Sequence, residues 1–422
     1  MDRGDYSPAV QQKIVYAGAN NGSFDKARQD LAELAELDVG AKQVERLCRR
    51  IGAERCAERD ESVRVYQHKP LVERKRAPEG VPAPAVVAVS VDGGRLQIWE
   101  RTEQAAVACP LSPSETTDEP ESKGSHWRED KIGLLMTLQS EVSASDPCPE
   151  IPETFVDPTR ILKLARELKK QPALGEDSVR DSGEPETAQE ALQDHPKWAP
   201  PEVLEKRMLG SRCPWPEFGP KLAQAAWSAG FYEAPRQAFV ADGSDNNWTI
   251  WREHFSSFVG VLDFIHALSY VFAAAVAGRK FTEGWAGYVQ WITWIWQGQV
   301  EQVVAALATR QVELGLPTEA ESETSPRQIV ARALGYLQNH KERMRYPEYR
   351  RQGLPITSSY VESTVKQFNR RVKGTEKFWT EAGAEAVLQL RADYLSDDKP
   401  LLRFWERRQN SESGQRRYRR VA

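Results

Sequence analysis

Residues 86–94 read Val-Val-Ala-Val-Ser-Val-Asp-Gly-Gly, an apolar run that closes on a carboxylate and two glycines. A short β-branched run of this kind predicts a buried strand. Asp92 then falls at the strand's end, where Gly93 and Gly94 let the chain turn and leave the carboxylate facing open space. The same pattern returns at residues 238–243, where Ala-Phe-Val leads into Ala-Asp-Gly and sets Asp242 in an equivalent place. A third acid, Glu362, lies one turn into a helix that begins after the Gly353 and Pro355 break, in ITSSYVESTVKQFNRRV (356–372).

Outward from this centre the chain divides by composition. FDKARQDLAELAEL, Asp38-Val39-Gly40 and AKQVERLCRRIG predict two helices across a tight turn, with Ala27, Leu31 and Leu34 facing Val44, Leu47 and Ile51. That outline fits a helix-turn-helix offering Lys42, Gln43, Arg46 and Arg49 to DNA, and it fits an ordinary helical hairpin equally. RKRAPEGVPAPA (74–85) is a linker. The strand from Val86 is followed by turn composition in PLSPSETTDEPESKG and a returning strand in HWREDKIGLLMTLQS. TRILKLARELKK reads as helix, residues 175–194 as an acidic flexible linker, and residues 200–230 as helix again. FVGVL (258–262) is a buried strand running into a buried helix. One long tryptophan-bearing helix is expected over residues 284–311, and another over 326–345.

The 422 residues, 40% hydrophobic and 28% charged, exclude wholesale disorder and a membrane bundle. Residues 255–278 are long and apolar, but Asp263 and His266 near their middle argue against a membrane span. The net charge of -4 averages two unlike parts: residues 341–422 carry about +8 and the remainder about -12. A basic C-terminal side suggests an anionic partner, nucleic acid being the commonest, or else a solvated basic face. Five cysteines without a Cys-x-x-Cys pair indicate neither a disulfide framework nor structural zinc. An N-terminus without the apolar stretch of a signal peptide adds the expectation of a cytoplasmic protein.

Three converging carboxylates suit phosphodiester chemistry. Hydrolysis or transfer there uses divalent ions about 3.5 to 4 Å apart, one activating the attacking oxygen and one stabilising the leaving oxygen. Mg²⁺ takes oxygen ligands, which Asp and Glu supply and His and Cys supply poorly. Crowding the acids raises their proton affinity until a cation arrives.

The segments VSVDGGRLQ, HWREDKIG, FVADGSDNNW, LDFIHALSYVFAAAVAG, TSPRQIVARALGYLQNH, RMRYPEYRRQGLPITSSYVESTVKQFNRRVKGTEKFW and AEAVLQLRADYL resemble prokaryotic insertion-sequence transposases of the DDE class, in their ISKra-type branch. The resemblance covers most of residues 86–405 and is weakest before Val86 and around the acidic linker. It implies an α/β RNase H-like catalytic core, a mixed sheet flanked by helices, with an all-helical insertion and an N-terminal helix-turn-helix-like unit. The expected division is an N-terminal unit at 1–73, a linker at 74–85, core at 86–278, insertion at 279–350, the final Glu helix at 351–400 and a basic tail at 401–422. Asp92, Asp242 and Glu362 correspond to the catalytic, metal-binding triad, and the insertion accounts for the 120 positions between Asp242 and Glu362. Asp263-Phe-Ile-His266 is similar to a Cys/Asp-x-x-His signature that would set His266 near the scissile phosphate; a satisfied core histidine is the plain alternative. The implied activity is Mg²⁺- or Mn²⁺-dependent cleavage at transposon ends, with two ions, followed by 3′-OH strand transfer into target DNA. Implied partners are the terminal inverted repeats, target DNA and a second copy of the chain, at the nucleoid. A non-catalytic DNA-binding protein or repressor descended from such an enzyme is the other reading.

Around Glu362, residues 341–380 carry 10 basic and 4 acidic side chains. Arg350, Arg351, Lys366, Arg370, Arg371 and Lys373 are the candidate phosphate contacts, with Lys366, Arg370 and Lys373 at one-turn spacing. Among thirteen tryptophans, Trp285, Trp291, Trp294 and Trp296 crowd one helix, for core packing or for stacking on an unpaired base, and Trp127 is expected to pack under the sheet. The tail GQRRYRRVA is expected to be a disordered phosphate-binding arm.

Overall fold

A computed structural model describes residues 6–99, 127–167, 200–374 and 377–411. The acidic linker expected at 175–194 and the GQRRYRRVA tail lie outside the described residues. In chain order the elements are α1 (Pro8–Asn20), α2 (Phe24–Ala35), α3 (Ala41–His68), α4 (Leu71–Arg74), β1 (Val86–Ile98), β2 (Trp127–Gln139), α5 (Pro158–Glu167), β3 (Glu202–Ser211), α6 (Trp215–Ser228) and β4 (Arg236–Ala241). They continue with α7 (Asp245–His254), β5 (Val259–Leu262), α8 (Phe264–Val276), α9 (Phe281–Trp296), α10 (Val300–Leu314), α11 (Pro326–His340), α12 (Tyr346–Arg351), α13 (Ser359–Val372), β6 (Phe378–Trp379), α14 (Glu381–Leu395) and α15 (Pro400–Ser411).

The fold is mixed α/β, an open mixed sheet flanked by helices. Its strand order is β3-β2-β1-β4-β5, with β6 pairing separately with β1. β2 runs antiparallel to both of its neighbours, β1 and β3, whereas β4 and β5 run parallel to β1. The parallel strands need crossovers, and α7 supplies the one from β4 to β5. Val86 to Val89 are fully buried at the sheet's centre, as a near-continuous apolar run requires.

Asp92 does not end its strand. β1 runs on through Gly93 and Gly94, which pair with Lys131 and Asp130, to Gln97 opposite Trp127. The long antiparallel partner keeps these glycines extended, so no turn forms. What stops instead is the other neighbour: β4 pairs with β1 only as far as Ser90↔Val240, and β6 takes up the edge at Gln97↔Phe378. Between those two the β1 edge is a gap in the sheet, and Asp92 sits at its lower lip.

Residues 202–211 are strand β3, not helix. As an edge strand it is half-exposed along most of its length and buried only over its last three residues, so charged side chains interrupt the expected alternation. The single helix expected over 284–311 is two, because Gly298 adopts a left-handed φ of 76° between α9 and α10. The helix expected over 326–345 stops at His340 and tightens into a 3₁₀ turn at Lys341–Arg343. α3 runs to His68, far past the Gly52 expected to end it.

α9, α10 and α11 share one apolar core with α8 and the sheet, containing Trp291, Trp296, Val303, Leu307, Val330 and Leu337. Trp296 is fully buried and donates Nε1–H to the Cys148 carbonyl at 2.8 Å. A second core joins the two ends of the chain: Ile14, Val15, Leu31, Val44, Cys48 and Ile51 pack with Leu390, Leu401, Phe404 and Trp405. The first residues of the expected basic tail therefore form a docked helix, α15. Among the described residues no helix is long and apolar enough to cross a membrane.

Candidate active site

Sheet register brings three aspartates level. Ser90 pairs with Val240, and Val240 with Val261. Two residues on from each are Asp92, Asp242 and Asp263, which form a row where the parallel pairing of β1, β4 and β5 stops: Asp242 and Asp263 follow their strands directly, and Asp92 lies within β1. Asp242 follows β4 directly, and its Oδ1 accepts from Ser244 N–H and from Asn247 Nδ2, both at 2.9 Å. Asn247, in the first turn of α7, also reaches the Val91 carbonyl at 3.3 Å, tying the Asp242 loop to the strand that carries Asp92.

Asp263 is fully buried and caps α8, accepting from Ile265 N–H at 3.1 Å. Its other contacts bring in the distant chain: Ser358 donates its N–H at 3.2 Å and its hydroxyl at 2.8 Å. Ser358 precedes α13, so this anchor places Glu362 in the first helical turn against the aspartate row. His266 Nδ1 lies 2.6 Å from Asp263 Oδ2 and 4.0 Å from Glu362 Oε1. Asp263, His266 and Glu362 could each give one atom to a metal ion, all within 4.8 Å of one another.

Burial raises the Asp92 carboxyl to about 6, with Asp242 adding to the rise and Gly93 N–H and His266 opposing it. Burial and then the Asp263 charge push Glu362 up to about 7, Asp92 adding and His266 and Lys366 opposing. Asp263 goes the other way: burial alone would raise it, but His266, Ser358 and the Ile265 N–H together hold it below the ordinary carboxylate range. The mutual effects place Asp92, Asp242 and Glu362 in one electrostatic cluster with Asp263 and His266.

A cavity of about 240 Å³ opens at the sheet gap, lined by Asp92, Gly93, Gly94, Arg95, Glu129, Trp215, Asp242, Ser244 and Asn247. Glu129 Oε2 accepts from Trp215 Nε1 at 3.0 Å. Beside the cavity Asp130 is fully buried and raised to about 6, foremost by burial. Its own backbone N–H and then the Lys131 charge oppose that rise, and neither side-chain oxygen makes a hydrogen bond of normal geometry.

The expected phosphate contacts separate. Lys366 and Arg370 are exposed on α13 one turn apart, and Lys373, the extended residue just past its end, is exposed with its ammonium 5.7 Å from the Trp127 ring centre. Trp127 is thus at the surface, not under the sheet. Arg351 is exposed. Arg350 and Arg371 are structural instead. Arg350 is buried, donating from Nε to Asp146 at 2.9 Å and lying 4.0 Å over the Trp296 ring. Arg371 is buried between Phe24 and Trp379 and donates to the Gly18 carbonyl at 2.9 Å. On α3, Lys42, Gln43, Arg46 and Arg49 are exposed, but the Gln43 amide oxygen accepts from Gly40 N–H at 3.1 Å as a helix cap, and Arg49 lies 4.0 Å from Glu45.

Asn247, Ser358 and Asp130 escaped the reading of the sequence. Asn247 sits in the quoted FVADGSDNNW and Ser358 in the run before Glu362, so polar residues crowding the acid motifs were the available signal. Compared with known proteins, the chain matches no protein-family model and no curated protein.

Proposed function

We propose that this chain is a DNA transposase of the DDE class with an RNase H-like core, cutting at the ends of a mobile element and joining them to target DNA. The observation that carries the reading is that Asp92 lies near enough to Asp242 and to Glu362, 270 residues further on, for the carboxylates to act on one another beside the open edge of β1 between β4 and β6. The strand order, three antiparallel and two parallel, agrees with an RNase H-like sheet. The donor set fits divalent cations: it is rich in carboxylate oxygen, and burial, with neighbouring carboxylates adding, has already raised two of its acids, as happens where a positive charge is due. Asp92, Asp242 and Glu362 would hold Mg²⁺ or Mn²⁺, two ions for this chemistry, which activate the attacking oxygen and stabilise the leaving one.

The protein's own groups do the remainder. Asn247 and the Ser244 N–H fix one Asp242 oxygen and leave the other for the cation. Asp263 orients His266 through Nδ1, which sets the ring beside Glu362 and near where the substrate phosphate would lie. Lys366 and Arg370 on the exposed side of α13, and Lys373 just past its end, run away from Glu362 and are suited to the phosphates of a bound strand. In the first step water attacks phosphorus at the element end and the P–O3′ bond breaks, releasing a 3′-OH. That hydroxyl then attacks a target phosphodiester. Two ends must be joined, which calls for a dimer or higher oligomer on DNA.

The test is cleavage of DNA carrying the repeats that flank the gene, with Mn²⁺ or Mg²⁺. Asp92→Asn, Asp242→Asn and Glu362→Gln should each abolish cutting and strand transfer while retaining DNA binding. Full cutting by any of the three would sink the assignment.

A further inference from the structure

Asp130 is the one acid beside the site that nothing yet explains. It stands opposite Gly94 in the β1–β2 ladder, and Asp92 stands opposite Ile132. Because side chains alternate along a strand and paired residues share a face, Asp130, Gly94 and Asp92 all project from the same side of the sheet. The glycine gives the carboxylate its room: a Cβ at Gly94 would lie 2.7 Å from Asp130 Oδ2 and 2.8 Å from Oδ1. The carboxylate therefore reaches across to β1 in the space next to Asp92.

There it has no partner. Asp130 is fully buried and neither oxygen accepts a hydrogen bond. The adjacent Lys131 projects from the opposite face, where its ammonium lies 3.2 Å from Glu129 and 5.4 Å over the Trp215 ring. A buried carboxylate with no hydrogen bond and no ion pair is expensive even with the Lys131 charge partly offsetting it, and a cation removes that cost. Two hard oxygen donors diagonal to one another on neighbouring strands suit Mg²⁺ or Mn²⁺.

We propose that Asp130 is a fourth carboxylate of the acid centre and, with Asp92, holds a divalent cation on the Gly94 side of that centre. This rests on the reading of Asp92, Asp242 and Glu362 as metal ligands and adds a donor from β2. Gly94 is then the residue that keeps the site open.

The experiment counts Mn²⁺ bound to the full chain, without DNA, by electron paramagnetic resonance of the free ion. Asp130→Asn and Gly94→Ala should each lose one of two bound ions or weaken it at least tenfold, with the other retained. In EDTA, Asp130→Asn should melt above the parent, because an uncompensated buried charge is gone. If Asp130→Asn fails to fold, Gly94→Ala alone decides. Unchanged number and affinity in both variants, with Asp92→Asn impaired, would overturn the Asp130 site and leave the triad standing. A parent chain that binds no Mn²⁺ would overturn both.

Discussion

Asp263 accepts from His266, from Ser358 twice and from its own helix, so it serves as the joint between the aspartate row and α13. Removing it leaves His266 and the Ser358 N–H without their acceptor. Asp263→Ala should cost about 3 to 5 kcal/mol in urea unfolding, the usual consequence of breaking a buried charged pair. Ser358→Ala should cost about 1 kcal/mol, one hydrogen bond. Only a loss of cleavage larger than the loss of fold in Ser358→Ala would mark Glu362 placement as its role. Asp92 and Glu362, raised to about 6 and about 7, also set a pH dependence. Carboxyls raised on folding stabilise fully below their unfolded values, near 4, and lose that contribution as pH rises through 6 to 7. In EDTA the parent should therefore be less stable at pH 7.5 than at pH 5, and Asp92→Asn with Glu362→Gln should flatten that slope. Asp263, held low, contributes in the opposite sense only below about pH 4.

The helix α13 shows how far periodicity carries a reading. Val361, Val365, Phe368 and Val372 recur at helical spacing, and Lys366 and Arg370 fall on the opposite side, as the sequence suggested, with Lys373 exposed just past the helix end. Arg371 was grouped with them by charge, yet its position beside Val372 puts it on the buried stripe, where aromatic rings and a carbonyl receive it. Lys366→Ala and Arg370→Ala should each weaken DNA binding and lower the salt slope by about 1, with stability unchanged. Arg371→Ala should instead lower stability by about 2 to 4 kcal/mol, read by chemical denaturation. The acid motifs were legible because an apolar run closing on Asp-Gly marks a strand, and at Asp242 its exit as well. Strand β3 was not, because an edge strand need not alternate, and Asp92 was set at a strand end because the length of β2 is invisible from β1 alone.

Across the whole molecule the ends are interlocked. Arg55 of α3 bonds to the buried Asp393 of α14 at 2.9 Å, Arg59 to Glu385 at 3.0 Å, and Gly52 lies so close to Ala386 that an added Cβ would meet its carbonyl oxygen at 2.5 Å. A chain lacking residues 1–73 should thus lose the cover of α14 and α15 and show early hydrogen exchange throughout both helices. Intact protection there would mean that the N-terminal helices are an appended module, as the sequence division at residue 73 suggests. Composition could not reveal this contact, since its partners lie some 330 residues apart.

The closure of α1–α3 by α14 and α15 also has a timetable. Ile51 leaves the ribosome long before Trp405, and at about 5 to 20 residues per second the interval is about 20 to 70 s. For that time the apolar faces of the first helices wait for their cover. A chain stopped before Leu390 would leave those faces permanently uncovered.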